Sequence, residues 1–187
     1  DLVRTSIMPE ILRSSLDKVV LQLVVLNYQP KSFDFITRPK DASLDASIDM
    51  LCEIKCLEES PGTGKKKPEL TATPRGRVFV DLDFDPRLSN FVAMAEEEHQ
   101  SGSVASVIAA TMSAPGSVFF MAGKEGRKAA KKRIAELAMD HQSDLLLRYQ
   151  AYRDWLSSGQ QGRDGRAQRR AFAQENGLNN KVNKNRF

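Results

Sequence analysis

Lys124, Arg127, Lys128 and Lys131 recur at i, i+3, i+4 and i+7, with Lys132 beside them. On a helix this spacing gathers the cations into one stripe, with Ala130, Ile134, Leu137 and Ala138 on the apolar side. Such a stripe meets successive phosphates of a polyanion, a contact that gives affinity without reading base sequence. The same pattern also suits the solvated outer face of a helical bundle, and spacing alone leaves both open. A second basic set closes the chain: Arg163, Arg166, Arg169, Arg170, Lys181, Lys184 and Arg186. Residues 163–187 hold seven Lys/Arg against two Asp/Glu, a balance of +5; the chain's net charge is +4, so the rest sums to −1. The basic character belongs to the tail, and a polyanionic partner is expected there. Lys65, Lys66 and Lys67 read as a solvated run in preference to a phosphate contact, and Arg77 as the partner of a structural carboxylate.

Nothing comparable suggests covalent or hydrolytic chemistry. Phosphoryl transfer needs a glycine-rich phosphate loop with its lysine, a carboxylate that holds Mg²⁺ and an arginine finger. No G-x-x-x-x-G-K-[ST] occurs; Gly62-Thr63-Gly64-Lys65 has the composition but the wrong spacing and no strand–loop–helix around it. Neither His99 nor His141 belongs to a nucleophile–base–orienter set. Cys52 and Cys56 lie four apart in a helical pattern without nearby histidines, so they read as small core residues in a reducing compartment. The sequence assigns no catalytic residue, cofactor site or metal site. No apolar run approaches the roughly 18–20 residues of a membrane span.

The elements that must carry these residues follow from apolar periodicity. Leu16, Val19, Val20, Leu23 and Leu26 predict a helix, capped by Ser14 with Asp17 completing a capping box and ended by Asn27 and Pro30. Asp41 or Ser43 opens a second helix to about Leu57, with Leu44, Ile48, Leu51, Cys52, Ile54 and Leu57 inside. Glu59 to Pro68 has the composition of a flexible surface loop. Glu69–Thr73 and Val78–Phe84 predict two short strands, although Phe79 spoils the alternation and Thr73-Pro74 is also a helix opening. From Asp85 to Ser157 the pattern is four antiparallel helices, with stripes Leu88/Phe91/Val92/Ala95, Val104/Val107/Ile108/Thr111/Met112, Ala130/Ile134/Leu137/Ala138 and Leu145/Tyr149/Tyr152/Leu156. Ser157 to Gly165 reads as a linker. The basic, Asn-rich remainder lacks a convincing core, and is either disordered or the first part of a further domain.

Placed in order, these motifs resemble the region that follows the motor domains of DEAH-box RNA helicases. Pro9-Glu10-Ile11-Leu12-Arg13-Ser14-Ser15-Leu16, Val20-Leu21-Gln22-Leu23 and Phe33-Asp34-Phe35 look like the opening of that family's winged helix. Leu70-Thr71, Thr73-Pro74-Arg75-Gly76-Arg77, Asp85-Pro86-Arg87-Leu88, Ala110-Thr111-Met112-Ser113, Val118-Phe119, Ser143-Asp144 and Tyr152-Arg153-Asp154-Trp155 match its later motifs. Phe172-Ala173-Gln174-Glu175-Asn176-Gly177-Leu178-Asn179 echoes the start of its oligonucleotide/oligosaccharide-binding (OB) barrel. The chain departs from the family at Ser143 (usually Gly), Leu145 (usually His), Arg148 (often apolar) and Ala173 (usually Cys).

The resemblance implies a mainly α (α+β) chain that is part of a longer polypeptide: residues 1–8 ending a RecA-like domain, 9–84 a winged helix, 85–157 a helical ratchet bundle, and 158–187 a linker and incomplete OB fold. It implies a non-catalytic role inside the cell, in nucleus or cytoplasm. There the segment helps form the single-stranded RNA channel of a parent enzyme whose upstream RecA-like domains use ATP and Mg²⁺ to move 3′ to 5′. On that reading Lys124, Arg127, Lys128, Lys131, Arg163, Arg166, Arg169 and Arg170 bind RNA. The alternative is a protein-interaction module, with an activator protein docked on the winged helix. Duplex DNA binding is disfavoured by Asp45, Asp49 and Glu53 on the outer face of the second helix.

Overall fold

The structure is a computed structural model, and it describes residues 8–60, 68–82, 84–114, 116–120, 122–140, 142–159 and 164–179. It divides into two compact units, with the boundary between Asn90 and Phe91.

In the first unit, α1 (Asp17–Val25) and α2 (Asp41–Glu53) pack together. Leu16 just before α1, Val20, Leu21, Leu23 and Val24 of α1, and Leu44, Ile48 and Leu51 of α2 are all buried, each large side chain contributing about 1.5–3 kcal/mol. Val19 and Leu26, expected inside, are exposed, because the buried arc centres on Val20, Leu21 and Val24. The expected Ser14 cap is also displaced: Leu16 occupies the N-cap, and the Asp17 amide donates to Ser15 Oγ at 3.3 Å. The C-terminal signal holds, since Asn27 takes the left-handed conformation at φ 63°.

α2 stops earlier than its apolar pattern suggests. Lys55 turns left-handed at φ 60°, and Cys56 and Leu57 leave the helix. Leu57–Ser60 becomes β1, paired antiparallel with β2 (Glu69–Ala72) in the register Leu57↔Ala72 to Ser60↔Glu69. The Gln29 side chain closes the outer edge of β2: its Nε2 donates to the Leu70 carbonyl and its Oε1 accepts from the Leu70 amide, both at 3.1 Å. One amide side chain thereby supplies both partners that a further strand would offer. Of the predicted loop, residues 61–67 lie outside the described residues.

The expected second strand, Val78–Phe84, is overturned, for Pro74–Asp81 is the helix α3. Thr73 caps it, its Oγ1 accepting from the Gly76 amide at 3.1 Å and donating to the Lys55 carbonyl at 2.7 Å. Pro74 supplies a preset first-turn φ. Gly76 and Phe79, three apart, are the residues that α3 buries.

α4 (Pro86–His99) spans the boundary between the units. Its buried residues are Pro86 and Ser89; Phe91, read as interior, is 38% exposed. The second unit continues with α5 (Gly102–Ser113), α6 (Gly123–Asp140), α7 (Asp144–Ser157) and α8 (Gly165–Glu175). α7 is the central helix, contacted by α5, α6 and α8. Its buried face is Leu147, Ala151, Tyr152 and Trp155; the expected Leu145 is exposed because the stripe is rotated toward Trp155. Met112 and Ala138, also expected inside, are exposed. The tail departs furthest from its reading. α8 and the turn after it place Ala173 and Leu178 in the same core as Val118, Leu137 and Trp155.

Candidate nucleic-acid interface

The first turn of α6 is set by Gly123, left-handed at φ 72°, with no neighbour within 4 Å of where a side chain would begin. From there Ala130 and Leu137 are buried on one side of the helix, with Ile134 half-buried between them. Lys124, Arg127, Lys128, Lys131 and Lys132 are all exposed on the other. Arg127 Nε donates to the Gly123 carbonyl at 3.1 Å, and Lys132 lies 3.8 Å from Glu136 one turn on. Arg133 serves the fold: it pairs with Asp154 of α7 and with Glu136. The cations read from the sequence are therefore exposed along one helix, with the acidic Glu125 exposed among them.

The tail arginines divide. Arg166 and Arg170 are exposed on α8. Arg169 is half-buried, its guanidinium 5.2 Å from the Trp155 ring centre, where it packs as a cation–π partner. Arg163 lies outside the described residues, as do Lys181, Lys184, Arg186 and Lys65 to Lys67.

Between the start of α6 and the end of α8 lies a groove of about 920 Å³, lined among others by Phe120, Glu125, Gly126, Arg170 and Gln174. Its floor is fastened by backbone pairing: the Phe120 amide donates to the Gly177 carbonyl at 2.6 Å and the Asn179 amide to the Val118 carbonyl at 2.7 Å. Gly177, at φ 61°, permits this approach, for a Cβ there would stand 2.3 Å from the Ala130 nitrogen. The sequence reading missed the groove, since Val118 to Met121 registers only as an apolar run and its partner lies nearly 60 residues downstream.

In the first unit the outer face of α2 is acidic, with Asp49 and Glu53 exposed. Asp45 pairs with Lys31 at 2.5 Å, a hydrogen bond that raises the Lys31 pKa. Arg77 is exposed, while the structural role falls to Arg75, which donates to Asn90 at 2.8 Å and packs over Phe79. Burial pushes the Cys56 thiol up to about 11, so it is protonated at neutral pH and a weak nucleophile or metal ligand. Among the described residues no three His, Cys, Asp or Glu side chains converge as a metal site, and no helix is long and apolar enough to cross a membrane.

Part of the chain is similar in sequence to RNA helicases. The chain is 28% identical over 101 residues to the ATP-dependent RNA helicase DHX33 of Mus musculus, covering 54% of this chain and 14% of that protein. The human protein of the same name gives 28% over 101 residues, 54% of this chain and 13% of its own length. An ATP-dependent RNA helicase HrpA homolog of Haemophilus influenzae gives 31% over 88 residues, 46% of this chain and 7% of that protein. About half of the chain is thus related to RNA helicases, and it spans a seventh or less of their lengths. No protein-family model matches the chain.

Proposed function

We propose that this chain is a non-catalytic, helicase-associated segment of a DEAH-box RNA helicase. In it the elements α1, α2, β1–β2 and α3 form a winged helix and the later helices a ratchet bundle. The segment lines the channel along which single-stranded RNA passes as upstream RecA-like domains, loaded with ATP and Mg²⁺, drive 3′ to 5′ translocation and unwinding. The observation that carries the reading is the similarity to RNA helicases over half of the chain. The exposed cationic face of α6, with Arg166 and Arg170 of α8, supplies the phosphate contacts such a channel needs.

Filter binding tests it. The chain is expected to retain single-stranded RNA better than duplex DNA, and to show no ATP turnover with RNA and Mg²⁺. Reversing the charges of Lys124, Arg127, Lys128 and Lys131 is expected to weaken binding and to flatten the log–log salt slope by about 0.7 for each phosphate no longer neutralised. An unchanged slope rejects the α6 face; robust ATP hydrolysis rejects the non-catalytic role.

A second reading, a docking site for an activator protein on the first unit, is favoured by one feature. Tyr28, Phe33 and Phe35 form an edge-to-face ladder, with centroids 5.5 and 4.9 Å apart. Leu26, Tyr28 and Ile36 are exposed around it.

A further inference from the structure

Phosphate tracking leaves the groove between α6 and α8 without a role, yet its chemistry is specific. Phe120 keeps 48% of its surface exposed, although its own amide is anchored to Gly177. One side of the ring is supported at Gly126, where a Cβ would sit 3.5 Å from Phe120 Cδ1; the groove lies beside it. Apolar surface dominates the remaining wall, from Ala129, Ala173 and Leu178. The two ionisable groups of the lining, Glu125 and Arg170, offset each other, and the Gln174 amide offers a donor and an acceptor. The interior therefore suits a neutral, planar group with a hydrogen-bonding edge.

The rim is different. Lys124 and Lys128 are each one residue from a lining position of α6, about 100° around the helix, and both are exposed. Arg166 stands one turn before Arg170 on α8 and is exposed as well. A neutral interior with cations at its edge divides as a nucleotide does, into an uncharged base and an anionic phosphate. At about 920 Å³ the groove falls within the size range of small-molecule sites.

We infer that this groove takes an unpaired nucleobase of single-stranded RNA, stacked on Phe120, with the flanking phosphates on Lys124 and Lys128. The inference rests on the RNA-binding reading and goes beyond it, because it assigns a base contact where that reading needs only phosphate contacts. Stacking of a base on an aromatic ring is sequence-tolerant, as every base has a π face.

The test is titration of the full chain with a short single-stranded RNA carrying 2-aminopurine, whose emission is quenched on stacking. Saturating protein is expected to quench the wild-type complex, and Phe120→Tyr is expected to retain the effect. Phe120→Leu keeps apolar volume but removes the π face. It should lose the quenching and bind roughly tenfold more weakly, with an unchanged salt slope. Gly126→Leu fills the groove from a position where its Cβ meets Phe120 at ordinary contact distance, and should lose the quenching too; native Trp155 emission certifies the fold of each variant. If RNA binds but both Phe120→Leu and Gly126→Leu quench like the wild type, the base site is rejected while RNA binding stands. If the wild-type chain retains no RNA at all, both readings are rejected together.

Discussion

Gly76 has no room for a side chain. A Cβ there would stand 2.2 Å from the Cys56 carbonyl oxygen, which is backbone and cannot swing aside. Gly76→Ala must push α3 off the turn that ends α2, and is expected to cost about 1–3 kcal/mol in urea unfolding, the usual range for overpacking. An unchanged midpoint at constant m-value would contradict the close approach. Cys56, the other side of that contact, gives a pH prediction. Its pKa rises from 9.0 to about 11 on folding because burial disfavours the thiolate. The folded state holds the proton more tightly, so this stability is complete below pH 9 and is lost as pH rises through about 11. Cys52, Tyr152 and Lys31 are shifted upward too and act in the same direction. Unfolding free energy should therefore decline above pH 9, and Cys56→Ala should remove roughly 2–3 kcal/mol of that decline, at about 1.4 kcal/mol per unit. Burial propensity alone places both cysteines in the core. It could not show that Cys56 sits beyond the helix, because the left-handed turn at Lys55 has no glycine or asparagine to announce it.

At the scale of elements, α3 illustrates two local signals in conflict. Val78, Val80, Leu82 and Phe84 alternate as a strand should, while Thr73-Pro74 reads as cap and first turn. The helix prevails because the cap is tied to the fold: Thr73 Oγ1 serves the Gly76 amide and the Lys55 carbonyl together. Phe79, which breaks the alternation, is the side chain that α3 buries. Thr73→Ala removes these hydrogen bonds, and the longer one from Oγ1 to the Cys56 carbonyl at 3.2 Å, and is expected to cost about 1–2 kcal/mol, the upper part of the range for a missing N-cap, while Thr73→Ser should recover most of it. Equal stability of the alanine and serine variants in thermal melts would mean that the cap is incidental. The α6 stripe was legible for a simpler reason. Lys and Arg at helical spacing opposite Ala130 and Leu137 leave one orientation that buries the apolar side, so exposure of the cations follows from the core. The groove beside it was not legible, since it depends on Phe119 bridging Leu178, a pairing that no local spacing encodes.

For the molecule as a whole, the stretch that looked least structured completes the second unit. Gly, Gln and Ser mark Ser157 to Gly165 as a linker, and the basic, Asn-rich residues after it lack an evident core. Burial there rests on few residues: Ala173 and Leu178 enter the core, and Arg169 covers the Trp155 ring. A helix so sparing in apolar side chains is stable only because α7 gives it a surface. Ending the chain after residue 163 should therefore damage more than the part removed. Trp155, the chain's single tryptophan, is 6% exposed and reports on this directly. The shortened protein is expected to show red-shifted tryptophan emission, stronger acrylamide quenching and a helical loss larger than α8 alone accounts for. Leu178→Ala in the full chain should move the same signals less, with a stability loss of about 2–5 kcal/mol. Native emission from the shortened chain would mean that α8 decorates a core already closed by α5, α6 and α7, and the groove formed with α8 would then be an accessory of the bundle.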